Sequence, residues 1–272
     1  MAYENVEAEP WLERWGLEPD GWPFQTPYTR SLLLPVRHRG KAAILKVAGH
    51  AEEARGAAMM VWWGGDGAAP VLAHEGPAIV LARADDPEAL ARMSFDGDDD
   101  RATAILCEVV ARLHRPRDKP APTEVVQRER WLRALQKARD RGEIYACAAD
   151  LAAELLASPQ ETAVLHGDVT HANVLHFGDR GWLAIDPKAL IGERGYDYAN
   201  IFRSPTISMA TPERFARQLD LVARLAQLDR TRLLKWVITH GAVAVAWAID
   251  DGHKVTRRGL RFVEMALAEL HA

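Results

Sequence analysis

Residues 164–197 read VLHGDVTHANVLHFGDRGWLAIDPKALIGERGYD, and few folds can accommodate such a stretch. Three apolar runs, 164–165, 174–177 and 182–185, are each too short for a helix and are separated by polar, glycine-bearing loops. That pattern predicts brief strands that return the chain to one place. Asp168 and Asn173 stand five residues apart, and Asp186 follows thirteen later at the end of WLAID. Taken singly, each is a common turn or cap residue. Together they form a set of hard oxygen donors that can orient a hydroxyl and hold a divalent cation.

The rest of the chain predicts an α+β protein of two lobes. Residues 22–27, 30–37 and 41–47 read as strands, the last two joined by a tight turn at His38-Arg39-Gly40. A helix over 50–63 is stopped by Gly64-Gly65-Asp66-Gly67, and a strand pair, 69–74 and 77–84, turns at Glu75-Gly76. Beyond Asp85 the periodicity is helical: a short helix opened by Asp86-Pro87, then 101–113, 122–139 and 143–157. After the motif, Thr211 and Pro212 supply an N-cap and a first-turn proline for a helix to Ala226, with further helices over 231–249 and 255–271. The expectation is a small β-rich N-terminal lobe, residues 1–84, and a larger, mainly helical C-terminal lobe, residues 85–272, hinged at 81–86.

H-G-D-x-x-x-x-N differs from the H-R-D-x-x-x-x-N loop of protein kinases only by Gly for Arg, and Asp186 follows as the DFG aspartate would. In phosphoryl transfer such groups orient the attacking hydroxyl and hold Mg²⁺ on the phosphates of ATP. Asp168 is therefore the expected catalytic base, with Asn173 and Asp186 as metal ligands. Lys46, in the run AAILKV, is placed to contact phosphates. Its partner is Glu52 or Glu53, and Glu53 is preferred because Ala57 and Val61 would turn that face inward. Leu81 and Arg83 lie in the hinge that would face the adenine. The turn over 25–31 lacks glycine, leaving backbone N–H groups and the hydroxyls of Thr29 and Ser31 to cap the phosphates. Pro187 occupies the place of the DFG phenylalanine, so no phenylalanine switch is expected.

His166-x-Asp168-x-x-His171 also admits a zinc hydrolase, but that reading leaves Asn173 and Asp186 idle. His166 is expected behind the loop, bonded to backbone, and His171 facing solvent or substrate. Glu193, Asp197, Asp250 and Asp251 are candidates for binding a cationic acceptor. Trp62, Trp63 and Trp182, among nine tryptophans, read as core anchors.

With 34 basic and 38 acidic residues there is no electrostatic footprint for nucleic acid. Cys107 and Cys147, the only cysteines, cannot build a disulfide framework and fit a reducing compartment. The N-terminus is acidic and lacks an apolar leader, and the longest apolar run, 242–249, is too short to span a bilayer. These features predict a cytoplasmic monomer or dimer with a small-molecule substrate and no membrane or nucleic-acid partner.

LHGDVTHANVLHF, GWLAIDPKALIGERGYDYANIF and EEARGAAMMVWWGGDGAAPVL resemble the aminoglycoside/hydroxyurea antibiotic-resistance kinases, a family that includes the streptomycin 6-phosphotransferases. The likeness runs over residues 23–252. The HGD…N and IDP blocks are common to the wider aminoglycoside phosphotransferase superfamily, whereas GWLAIDPKALIGERGYDYAN is specific to this branch. The resemblance implies a two-lobed, protein-kinase-like fold that moves the γ-phosphate of ATP to a small molecule. It implies Asp168 as base, Asn173 and Asp186 as magnesium ligands, and Lys46 paired with Glu53 at the phosphates. Lys188 also belongs to the branch motif, without an assigned role. A kinase for hydroxyurea or another metabolite, and a nucleotide-binding sensor without transfer activity, are the competing readings.

Overall fold

Alternation along the early strands decides what faces the site. The computed structural model describes residues 6–25, 31–127, 132–250 and 256–271. Helix α1 (Glu9–Trp15) leads into β1 (Leu17–Pro19), and β2 (Leu32–His38), β3 (Lys41–Val47), β4 (Val71–Glu75) and β5 (Ala78–Ala82) complete an antiparallel sheet in the order β1-β2-β3-β5-β4. Helix α2 (Ala51–Trp63) crosses between β3 and β4. Leu34, Val36, Leu45, Val47 and Val80 fall on one face and pack with Trp11, Leu12 and Trp15 of α1 into a small core of their own. Leu33, Pro35, Ile44, Lys46 and Ile79, one residue out of phase, line a cleft on the other face. Arg39 and Gly40, both left-handed with φ of 51° and 75°, form the two-residue turn between β2 and β3, a geometry whose twist suits a hairpin.

The second region is mainly helical. It contains α3 (Ala89–Phe95), α4 (Asp99–Leu113), β6 (Val126–Gln127), α5 (Arg133–Ala138), α6 (Glu143–Ala157), β7 (Thr162–Leu165), β8 (Val174–His176), β9 (Trp182–Ala184), β10 (Leu190–Glu193), α7 (Gly195–Tyr198), α8 (Pro212–Ala226), α9 (Arg230–Asp250) and α10 (Arg257–Leu270). Helix α9 packs against α5, α6, α7, α8 and α10, which buries Trp236, Val237 and Ile238 completely. Over residues 230–249 it is apolar and long enough to cross a membrane by composition, well beyond the run read from sequence; 67% of that window is buried inside the fold, as befits a core helix. Of the three tryptophans read as anchors, Trp63 is buried and bonds to Leu113 O, while Trp62 and Trp182 are half-buried.

Two small sheets position the motif. β8 and β9 pair antiparallel with Val174 opposite Ala184, so Asn173 and Ile185 meet just beyond the ladder, and Ile185 N–H donates to Asn173 O at 2.9 Å. β10 pairs antiparallel with β7, Leu190 opposite Leu165, and parallel with β6. Helix ends follow local chemistry: Thr211 Oγ1 caps Arg214 N–H at 3.3 Å ahead of Pro212, and Gly64 (φ 62°) closes α2 through Met60 O.

Several expected elements differ. Within 22–27 only Phe24 pairs, as an isolated bridge to Leu33, because Pro23 cannot donate to a ladder; residues 26–27 lie outside the described residues. The helix expected over 122–139 is absent at its start, where Val126 and Gln127 add a strand to β10; helix resumes at Arg133. Helices α1 and α7 and strands β1 and β10 were not anticipated.

Candidate active site

The cleft beneath the sheet encloses about 860 Å³. Pro35, Ile44 and Leu81, two positions along the sheet from Lys46, give it an apolar end, and Lys46, Glu53, Asp168, Asn173, Asp186 and Lys188 a charged one. Arg83 lines the apolar side and donates to Asp20 Oδ2 at 2.6 Å. Residues 82–85 also border the cleft, where the chain passes from β5 toward α3.

At the charged end, the Lys46 ammonium donates to both Glu53 and Asp186. Glu53 is buried at 8% exposure, as expected of the partner, although Val61 two turns further on is 44% exposed. The inward turn of that helix face thus ends near Ala57. Lys188 approaches from below: its Nζ lies 3.6 Å from Glu53 Oε1 and 3.6 Å from Asp186 Oδ2. Burial opposes the Asp186 charge, but Lys46 and Lys188 outweigh it and hold the carboxyl well below its usual range. Asp186 sits at φ 61°, a left-handed conformation that costs a non-glycine residue about 1–3 kcal/mol and is tolerated best by Asp and Asn. The following turn packs directly on α2: a Cβ on Gly56 would lie 2.4 Å from Pro187 O, so only glycine fits there.

Asp168 is held by amides from two directions. Asn173 Nδ2 donates to Asp168 Oδ2 at 3.1 Å and to Asp168 O at 2.9 Å, and Asn200 Nδ2 donates to Asp168 Oδ1 at 2.7 Å. Asn200 is in turn held by Arg203 Nη2 at 3.0 Å. Turning its NH₂ toward Asp168 leaves the Asn173 amide oxygen as the atom for a hard cation, beside the Asp186 carboxylate. Two such oxygens, an ionised carboxylate and an amide carbonyl, are the hard donors that fit Mg²⁺.

The loop itself hangs on Asp197, which accepts from His166 N–H at 2.8 Å, Gly167 N–H at 2.7 Å and His114 Nε2 at 2.8 Å. Gly167 takes φ 84°, and a Cβ there would meet Leu190 at 2.9 Å and Lys188 at 3.1 Å. This is the physical reason for Gly where protein kinases carry Arg.

Four expected site residues are placed elsewhere. His171 is 1% exposed, with its ring between Ser94 Oγ at 3.0 Å and Ser204 Oγ at 2.7 Å, so it faces neither solvent nor cleft. Burial, aided by the Arg214 charge, lowers its pKa to about 4. Glu193 is 2% exposed and receives Arg232 through both oxygens at 2.7 Å and Trp236 Nε1 at 2.7 Å, a strut between β10 and α9. Asp197, also 2% exposed, braces the loop and has no face toward an acceptor. Ser31 is fully buried, and its Oγ accepts from Gly49 N–H at 3.2 Å instead of reaching a phosphate. Thr29, Asp251 and the side chain of Asp250 lie outside the described residues.

His166 lies behind the loop as expected, its Nε2 2.8 Å from Ile185 O and its Nδ1 accepting from Asp168 N–H at 3.2 Å. Both rings of the would-be zinc motif are thus engaged in the framework. Sequence reasoning missed Asn200 and Lys188 as site residues. Lys188 and Asn200 were visible only as members of the branch motif GWLAIDPKALIGERGYDYAN, which gave neither a role.

A two-lobed, protein-kinase-like fold with this constellation defines a phosphotransferase that acts on a hydroxyl group. The chain belongs to the aminoglycoside/hydroxyurea antibiotic resistance kinase family, whose profile matches residues 14–252. It is 42% identical over 247 residues to a streptomycin 3''-kinase of Klebsiella pneumoniae, covering 89% of this chain and 92% of that protein. A streptomycin 6-kinase of Streptomyces griseus is 31% identical over 257 residues, covering 89% and 81%. Among solved structures, a thermostable mutant of an aminoglycoside phosphotransferase in ternary complex with ADP and hygromycin B superposes with a TM-score of 0.61 at 13% identity, covering 98% of each chain.

Proposed function

We propose that the protein transfers the γ-phosphoryl group of ATP, with Mg²⁺, to a hydroxyl of streptomycin or a closely related aminoglycoside in the cytoplasm. The observation that carries the reaction is the convergence of Lys46, Glu53 and Asp186 with the amide-braced Asp168 at the charged end of one cleft. The substrate class rests on the likeness to proteins named streptomycin kinases.

Residues 1–84 would supply the nucleotide side, with Leu81 and Arg83 at the apolar end taking the base. Residues 85–272 would supply the catalytic loop and the acceptor side. Asp168 orients the acceptor hydroxyl and takes its proton as that oxygen bonds to the γ-phosphorus. The bond from γ-phosphorus to its bridging oxygen breaks, and the electron pair leaves with ADP. When bound, Mg²⁺ supplies Lewis-acid neutralisation of phosphate charge, and Asn173 and Asp186 would hold it. Lys46, fixed by Glu53, offsets charge on the phosphates, so positioning and preorganised electrostatics provide most of the acceleration.

The test is an acceptor screen with purified protein, ATP and MgCl₂, reading ADP release and the mass of the product. Streptomycin should gain one phosphoryl group, with the 3''-hydroxyl the first position to examine by NMR, given the greater likeness to the 3''-kinase. Phosphorylation of hydroxyurea or a simple amino alcohol, with streptomycin untouched, would reject the substrate. ADP release with no acceptor modified would reject the transfer itself.

A further inference from the structure

Two lysines reach the same pair of carboxylates, and only one is needed to hold them. Lys46 already bonds Glu53 and Asp186, one oxygen of each. Lys188 stands against the other oxygen of each at 3.6 Å, an ion-pair distance too long for a hydrogen bond. Only 17% of its side chain is exposed, and it lines the cleft. Burial opposes the ammonium charge, but Asp186 and Glu53 outweigh it and keep the group charged. No hydrogen bond among the described residues fixes it, so ordering this flexible side chain beside a pair already braced adds little to the framework.

The two lysines are rooted on opposite walls. Lys46 descends from β3 in the roof, between Leu33 and Ile79. Lys188 rises from the floor: its backbone N–H donates to His166 O at 2.7 Å, two residues from Asp168, and its Cβ lies 3.1 Å from where a Gly167 Cβ would stand. Its root therefore lies against the loop that carries the proton acceptor.

We propose that Lys188 is a catalytic residue, a second phosphate-binding cation that contacts the transferred γ-phosphoryl group, while Lys46 serves the phosphates that remain on ADP. This inference rests on the ATP-dependent reading above. If Asp186 held a divalent cation, Lys188 would be left with Glu53 as its carboxylate partner. Its loose ion pair lets the ammonium swing toward the phosphoryl group beside Asp168. Its charge then meets negative charge as the γ-phosphorus leaves its bridging oxygen for the acceptor oxygen.

The proposal separates ATP from ADP, so binding tests it without turnover. Titration calorimetry with MgCl₂ compares ADP and the non-hydrolysable analogue AMP-PNP on wild type, Lys188→Met, Lys188→Arg and Lys46→Met. Losing a charge-assisted contact to the γ-phosphate should raise the Kd of Lys188→Met for AMP-PNP by about tenfold or more and leave ADP within about twofold. Lys188→Arg should recover part of the loss, and Lys46→Met should weaken both nucleotides. Equal weakening of both by Lys188→Met, or no change in either, overturns the role of Lys188. If Lys188→Met does not fold, Lys188→Gln keeps the polar tip and is read the same way. A wild-type protein that binds neither nucleotide rejects the ATP reading, and this one with it.

Discussion

Asp168 owes its aim to two amides, one of them 32 positions away in sequence. Asn200 fixes Oδ1 and is itself fixed by Arg203, whose charge is disfavoured by burial. Asn200 is a positioning residue, acting through the carboxylate it holds. Asp168→Asn should lower kcat by roughly 10²–10⁴-fold with nucleotide Kd nearly unchanged. Asn200→Ala should lower kcat about tenfold, with acceptor KM held within about threefold, since a misplaced base loses transition-state and not ground-state contact. Steady-state kinetics separate the cases: a KM effect alone would place Asn200 at the acceptor instead. Lys46, Glu53, Asp168, Asn173 and Asp186 were legible in sequence because each stands at a fixed offset from a strand or loop boundary. Asn200 lay in the branch motif, but its role was not legible there, because only a tertiary contact reveals it. Glu193, Asp197 and His171 misled for the converse reason: an acidic or imidazole side chain near a motif looks the same whether it opens to a cleft or stitches the framework behind it.

Between elements, a buried ion pair ties α4 to α8. Arg214 grips Asp99 through Nε at 2.8 Å and Nη2 at 2.9 Å and also donates to Ser204 O at 2.9 Å, and Gln218 joins from the next turn. Both side chains are more than nine-tenths hidden. Removing one partner strands the other's charge, so Asp99→Ala should cost about 3–5 kcal/mol in urea denaturation. The double variant Asp99→Leu with Arg214→Met should recover most of that stability, and failure to do so would show that the pair contributes more than mutual neutralisation. The boundaries of α8 were readable from Thr211 and Pro212, but this pairing was not, since residues 115 positions apart carry no shared local pattern. The short elements β6, β10 and α7 escaped for a related reason: they exist only through the neighbours they pair with or pack on.

At the scale of the molecule, several histidines are folded in as neutral rings. His240 on α9 is 5% exposed, lies 5.2 Å from the Tyr196 ring and is kept well below its usual pKa by burial and then by the Arg203 charge. The unfolded chain protonates such a histidine near pH 6.5, whereas the folded chain resists. The stability involved is therefore complete above about pH 6.5 and is lost as pH falls below it. His166 and His171 act in the same direction. Denaturation midpoints should fall between pH 7.5 and 5, and His240→Gln should flatten that fall; an unchanged slope would show that His240 binds its proton alike in the folded and unfolded states.

The contact between Gly56 and Pro187 O carries a consequence for inhibitors of this enzyme. Here backbone meets backbone, so a compound cannot open space behind the charged end by rotating a side chain. It would have to displace a helix from a turn. Selective chemistry is better aimed at the apolar end of the cleft, where the lining is side chain and Ile44 and Leu81 can adjust one rotamer at a time.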